Sequence, residues 1–404
     1  MNYILAYDFG TSGVKAALVD FNGKLMGHKE YGYPLIYGEN GFVEQDPKQY
    51  WEAVCNASRD VMKETDIKGE EVVGMAFSTQ GLGIIPISKE GEILYRNISW
   101  VDSRARKQAD EINEKLGRHE FDAADVIPKY LWIKQNMPEI YEKTAYFLDC
   151  TGYLNFMATG KIAIDYSGKG PYSVHPEEVE RRKGWYEAAG LDMKKCPPLI
   201  PCSGYVGNLT EKAAEELGVT TEVEVYMGVV DVTCAALGAG CCKEGDAHVY
   251  LGTSGWLTVI TGYERFSTTS PGIWQLTAGD VTKHIYGGCT QCAGLALNWA
   301  IDKFYHMEQV MISNPDLKQM YHGDIYDFVN QELADVPAGS KGLLATSWLL
   351  GEGCPITDEK ARAVFVGASN VHDRRYFVNA VMESVCYSLR MEAEYYKKDS
   401  QKAI

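Results

Sequence analysis

The sequence predicts an α/β protein built from two similar domains that face a common cleft, and three observations carry that prediction. Apolar strand-like runs alternate with helical ones through the first half of the chain. The tetrapeptide Gly-Thr-Ser-Gly occurs twice, at Gly10–Gly13 and Gly252–Gly255, each time between two apolar stretches. From Val225 onward the strand-turn-strand plan begins again, as a duplicated unit would.

Each element follows from its local pattern. Ile4-Leu5-Ala6-Tyr7 leads into the first glycine turn and Val14 to Val19 leaves it; Val249-Tyr250-Leu251 and Leu257-Thr258-Val259-Ile260 do the same for the second. A strand is expected over 25–34, then a helix over 47–63 opened by Asp46 with Pro47 as its first residue. A strand over 72–78 and a hairpin over 84–95 follow, then a long helical and loop region over 103–157. Glycine and proline punctuate 160–176, and a further helical stretch reaches Leu191. The boundary is expected near Gly245, giving domains 1–245 and 246–404 with a hinge between them, since no low-complexity linker intervenes.

Composition excludes several classes of function. The 404 residues leave room for two sizeable cores, and 46% apolar with 23% charged residues is ordinary for a globular protein. A net charge of −16 repels nucleic acid and anionic membranes, so neither is an expected partner, and an anionic ligand must be held by local donors. Eleven scattered cysteines fit reduced thiols, and Met1 to Tyr7 lacks the basic residues of a signal peptide; both point to the cytoplasm. Cys289-Thr-Gln-Cys292 has metal-ligand spacing but no second pair beside it, so the reading is structural thiols without zinc. The apolar stretch 225–242 contains Gly228, Gly238, Gly240 and Asp231, which favours a strand followed by a helix over a membrane span.

Glycine turns let the backbone approach a ligand closely, while amide N–H groups and hydroxyls offer donors to an anion, so both turns are read as phosphate sites. Asp8, two residues before the first turn, would hold Mg²⁺ against phosphate oxygens; its plainer reading is a turn former at a strand end. Asp231 sits in an apolar run where an unpaired carboxylate costs several kcal/mol. It is read as a general base lining the active site, a role compatible with N-capping the helix that follows.

At this point the chain resembles the FGGY family of carbohydrate kinases, a branch of the actin-like, ribonuclease-H-like ATPase group. Asp8-Phe-Gly-Thr-Ser-Gly-Val-Lys15 resembles its first phosphate motif and Ser99-Trp-Val-Asp-Ser-Arg104 its Trp-x-Asp-x-Arg segment. Pro128-Lys-Tyr-Leu-Trp-Ile-Lys-Gln-Asn136 is similar to its first signature, and Asp231 with Ala235-Ala-Leu-Gly-Ala-Gly240 to its catalytic segment. Leu251-Gly-Thr-Ser-Gly255 matches the second phosphate motif and Leu350-Gly-Glu-Gly-Cys-Pro355 the Gly-Glu-x-x-Pro loop. The resemblance implies two actin-like domains around a central cleft, with ATP donating its γ-phosphate to a sugar or polyol hydroxyl. It implies Asp231 as base, Asp8 at Mg²⁺ either alone or together with Asp231, and Gly10, Thr11, Ser12, Lys15, Gly252, Thr253 and Ser254 around the phosphates. Gln80, Trp100, Asp102, Arg104 and Asp231 become the sugar-contact candidates; Trp100 as core and an Asp102–Arg104 surface pair stand as the alternatives. A homodimer is a candidate assembly.

Three departures from the family pattern matter. Thr79-Gln-Gly-Leu82 and Val232 differ from what the xylulose-kinase branch usually carries, so a ketopentose such as D-xylulose stands beside glycerol, ribulose and gluconate. Ala368 and Tyr376 depart from the second signature. These residues contain no Gly-Gly-Gly-x-x-Ser loop, so the second domain is expected to be C-terminally incomplete at its adenosine site, with impaired catalysis or a sugar-binding fragment as the alternative function. An ATPase switch without a sugar substrate is the third reading.

Overall fold

A computed structural model describes residues 2–167, 176–263, 272–317, 323–358 and 360–400. It divides into two compact units, Met1–Cys242 with Leu276–His284, and Lys243–Gln275 with Ile285–Ile404.

The first unit is organised on strands β1 (Tyr3–Phe9), β2 (Gly13–Asp20) and β3 (Leu25–Gly32), the short β4 (Val43–Gln45), and β5 (Val72–Thr79). Tyr205–Asn208 forms β6 and Glu224–Val230 forms β7. Six of them make one sheet in the order β6-β7-β5-β1-β2-β3. β1, β5 and β7 run parallel, β2 pairs antiparallel with β1, and β3 pairs antiparallel with β2. Period-two alternation in β1 sends Tyr3, Leu5, Tyr7 and Phe9 into the core. Tyr7 stacks on Phe77 with centroids 4.9 Å apart and shares a 2.7 Å hydrogen bond with Ser58.

Helix α1 (Pro47–Thr65) covers this sheet as the sequence predicts. The Asp46 carboxylate accepts the Lys48 N–H, Pro47 supplies a preset φ, and Asp66 in the left-handed region ends it. Its Tyr50, Val54, Ala57 and Val61 are fully buried, each such side chain contributing about 1.5–3 kcal/mol when large.

Helices α2 (Val126–Asn136) and α3 (Cys150–Thr159) fall in the predicted helical region. Between them lies a strand that the sequence reading does not contain: Tyr146–Leu148 pairs antiparallel with Ile85–Ile87. The hairpin expected over 84–95 is present in short form, as an Ile87–Ile93 bridge with the Leu94 N–H donating to the Pro86 carbonyl and the Ser88 N–H to the Glu92 carbonyl, both at 2.9 Å.

Gly228 marks a register shift in β7. Its φ is +76°, and a Cβ there would fall on the Phe77 carbonyl, so only glycine fits. Directly after β7 comes α4 (Asp231–Gly238).

The second unit repeats the strand-turn-strand opening. Ala247–Leu251 forms β8, Gly255–Thr261 β9, Ile273–Thr277 β10 and His284–Thr290 β11, in the sheet order β8-β9-β11-β10. Helices α5 (Gly294–Phe304) and α6 (Arg374–Ser400) pack together through Ala296, Ala300, Val381 and Val385. Among the described residues no helix is long and apolar enough to cross a membrane.

Candidate active site

Two carboxylates mark the carboxyl edge of the parallel strands, where open α/β sheets bind ligands. Asp8 is the penultimate residue of β1, opposite Ser78 of β5 and Lys15 of β2. Val230, the last residue of β7, pairs with Thr79, and Asp231 follows it. Asp231 occupies the first helical position, not the cap, which is Val230; its Oδ1 accepts the Val232 N–H at 2.8 Å. Burial pushes this carboxyl up to about 6, the Val232 bond opposes that shift, and the negative charge of Asp8 adds to it. Asp8 is more than half exposed, with the Lys15 ammonium 3.6 Å away.

The first glycine turn is tightly supported. Tyr33 Oη donates to the Gly10 and Gly13 carbonyls at 2.5 and 3.1 Å. Gln45 Nε2 donates to the Thr11 carbonyl at 2.8 Å, and Trp100 Nε1 to the Thr11 hydroxyl at 2.9 Å. Gly13 is required by packing, since a Cβ would lie 2.7 Å from the Tyr31 carbonyl oxygen.

The second turn rests on a helix start instead. Ala293 N–H donates to the Thr253 carbonyl at 2.9 Å, and Gly294 N–H to the Gly252 carbonyl at 2.7 Å, at the entry to α5. In the neighbouring Gly351–Pro355 loop the buried Glu352 accepts from Thr290 Oγ1 at 2.7 Å and from the Gln291 and Gly353 amides at 2.8 Å each. Burial raises its carboxyl, against the pull of those donors.

The four sugar-contact candidates other than Asp231 occupy different surroundings. Gln80 follows β5 and is buried; its Nε2 donates to Gln45 Oε1 at 3.0 Å while its Oε1 has no partner. Trp100 is 45% exposed, so it is not core. Asp102 and Arg104 do pair, but the pair is sealed inside the first unit, not on its surface. Arg104 Nε reaches both Asp102 oxygens at 2.9 Å, and Nη2 bridges Asp102 at 2.7 Å and Glu44 at 2.8 Å. The Phe42 ring, 3.8 Å from the guanidinium carbon, and Trp132 at 4.8 Å cover it. The reason is local: Phe42 and Trp132 supply the apolar lid, and Val43 N–H helps saturate Asp102 at 2.6 Å.

Sequence reasoning missed Glu44, Gln45 and Lys129. Lys129 is wholly buried in α2, and its Nζ donates to the Leu82 carbonyl at 3.0 Å and the Ser99 carbonyl at 2.8 Å. Those carbonyls belong to the two loops that carry Gln80 and Trp100. Burial lowers its ammonium to about 7, against the attraction of Asp102 and Asp125. A lysine inside the apolar run Val126–Leu131 is the signal that was available. Lys129→Met is expected to leave both carbonyls without a donor, cost about 1–3 kcal/mol of stability, and raise the KM for sugar more than that for ATP. Thermal melting and steady-state kinetics read both effects; equal rises in the two KM values would contradict the clamp.

Comparison with known proteins finds a family match for each half of the chain. The N-terminal domain of the FGGY family of carbohydrate kinases matches residues 3–238, and the C-terminal domain of the same family matches residues 247–404. The second match gives no support to an incomplete second domain. The chain is 29% identical to the xylulose kinase of Bacillus subtilis (strain 168) over 408 residues, covering 98% of this chain and 78% of that protein. Ligand-bound xylulose kinase and gluconate kinase, both from Lactobacillus acidophilus, superpose with a TM-score of 0.80 each at 24% identity, covering 98% of this chain and 78% of theirs. The likeness establishes two α/β units of the actin-like kind.

Proposed function

This chain belongs to the FGGY family of carbohydrate kinases, and we propose that it transfers the γ-phosphate of ATP to a hydroxyl of a ketopentose such as D-xylulose, with Asp231 as the general base. The observation that carries the reading is the carboxylate pair at one sheet edge: Asp231, burial-shifted to about 6 and accepting the Val232 N–H, beside the exposed Asp8. A base poised there is ionised at neutral pH yet basic enough to take a proton from an attacking hydroxyl.

Such transfer demands chiefly positioning and electrostatic stabilisation. The Thr11 and Ser12 hydroxyls and the backbone of the first turn are the donors for phosphate, with Lys15 beside Asp8 as the nearby cation; Thr253 and Ser254 of the second turn play the same part in their own unit. Mg²⁺, when bound, neutralises phosphate charge as the transfer proceeds. Among the described residues no group of three or more acidic, histidine or cysteine side chains could cage a metal. That suits Mg²⁺, which keeps its waters and takes one or two carboxylates plus phosphate oxygens. Asp8 would hold it, with Asp231 as a second ligand. Free thiols support a cytoplasmic setting.

D-xylulose is favoured by the Bacillus subtilis relative, while gluconate stands as the alternative because both Lactobacillus acidophilus structures fit equally well. ADP formation from Mg-ATP across ketoses, aldoses, gluconate and glycerol decides between them. A rate stimulated only by D-xylulose supports the proposal; ATP hydrolysis indifferent to every sugar would replace it with an ATPase switch.

The pH profile provides a separate check. Because Asp231 acts deprotonated, log(kcat/KM) should rise about one unit per pH unit below roughly 6 and level off above it. A profile flat through that range would remove Asp231 from the base role.

A further inference from the structure

We infer that Trp100 and Gln45 are positioning residues that tie the first phosphate turn to the sugar-side loops, with Thr11 as the shared point of attachment. The inference deepens the kinase reading and rests on it for the identity of the two ligands.

Three features carry it. An indole N–H can only donate, so at 2.9 Å from Thr11 Oγ1 it makes that hydroxyl the acceptor. The hydroxyl's single proton is then left to point away from Trp100, as a donor to a phosphate oxygen above the turn. Trp100 thus orients a donor, whatever its exposed ring face meets.

Gln45 fixes the same residue from its other side. It is fully buried, donates through Nε2 to the Thr11 carbonyl at 2.8 Å, and accepts through Oε1 from Tyr50 Oη at 2.7 Å and Gln80 Nε2 at 3.0 Å. Tyr50 Oη in turn accepts from Asn97 Nδ2 at 2.8 Å, which anchors the amide. One side chain therefore spans the carbonyl of a phosphate-turn residue and a sugar-side residue. Gln80 Oε1 is buried without a partner, so the network ends on an acceptor whose hydrogen bond is unmade. A sugar that engages Gln80 would stiffen Gln45, and with it the turn.

A double-mutant cycle tests the Trp100–Thr11 half. Trp100→Phe keeps the ring and removes the N–H; Thr11→Val keeps the shape and removes the hydroxyl. Each is expected to lower kcat roughly tenfold, the size of one lost hydrogen bond to a charged acceptor, while changing the KM for D-xylulose less than about threefold. The double variant should be no slower than Thr11→Val alone, because both changes remove the same directed proton. Losses that multiply, or a Trp100→Phe variant that only raises the sugar KM, would overturn the inference.

The affinity for the magnesium complex of a non-hydrolysable ATP analogue, with and without saturating D-xylulose, tests the Gln45 half. Sugar should tighten nucleotide binding in the parent chain and no longer do so in Gln80→Leu or Gln45→Leu, with melting curves confirming that each variant folds. Coupling retained in both folded variants would sink it. If the parent turns over no sugar, the kinase reading has failed on its own; the Trp100–Thr11 cycle, repeated on analogue affinity alone, still decides the inference, non-additivity keeping it and additivity rejecting it.

Discussion

Asp231→Asn is expected to reduce kcat by a factor of about 10²–10⁴ with little change in the KM for either substrate, the loss typical of removing a general base. The amide has the same shape, and its oxygen can still accept the Val232 N–H that Oδ1 now accepts. What disappears is the charge of a buried carboxylate that follows Val230 at the end of β7. Folding should not suffer. The folded carboxyl titrates near 6, above its unfolded value, so the folded state loses stability as pH rises from the unfolded pKa through about 6, and that loss is complete at pH 7. Removing the charge relieves it, so the variant's melting temperature at pH 7 should equal or exceed the parent's. A dead but equally stable enzyme assigns Asp231 to chemistry; residual activity within tenfold of the parent would move the base elsewhere.

Much of this architecture is legible in the sequence because it is local. The glycine turns between apolar runs, Asp46 before Pro47, and the carboxylate interrupting Val229-Val230 all announce themselves within a few residues. What escapes is what depends on contact at a distance. The pairing of Ile85–Ile87 with Tyr146–Leu148 joins two three-residue segments far apart in the chain, too short for either to show a period. Gln45 and Lys129 act by donating to backbone carbonyls of other loops, an interaction with no sequence spacing of its own. Asp102 and Arg104 show the limit from the other side: a charged pair two residues apart reads as surface until Phe42 and Trp132 are seen to close over it. The sugar is least legible, because its discrimination depends on a few hydroxyl contacts superimposed on a fold that xylulose and gluconate kinases share.

The buried pair supplies the largest expected effect on stability. Arg104→Met would fit between Phe42 and Trp132 but leave Asp102, fully inaccessible, without its guanidinium partner, and Glu44 with only Arg96 at 3.4 Å and the Tyr95 hydroxyl at 2.6 Å. Breaking such a pair from one side costs about 3–5 kcal/mol. Scanning calorimetry should show the first unit melting roughly 10 °C earlier while the second unit keeps its transition. Adding Asp102→Asn should recover a large part of the loss, since the double variant buries less unpaired charge. Arg104→Lys should recover little: an ammonium cannot place donors on both Asp102 oxygens and Glu44 at once, and it lacks the flat surface that Phe42 covers. The same variants separate scaffold from substrate contact. If Arg104 serves only to hold the Glu44 and Asp102 segments, Arg104→Lys loses stability and activity together, and the Asp102→Asn, Arg104→Met double variant regains both. Arg104 Nη1, however, is buried without a partner, the one nitrogen of the guanidinium whose N–H groups are not spent on a carboxylate. Were a sugar hydroxyl to reach it, the double variant would regain its melting temperature while its KM for sugar stayed high.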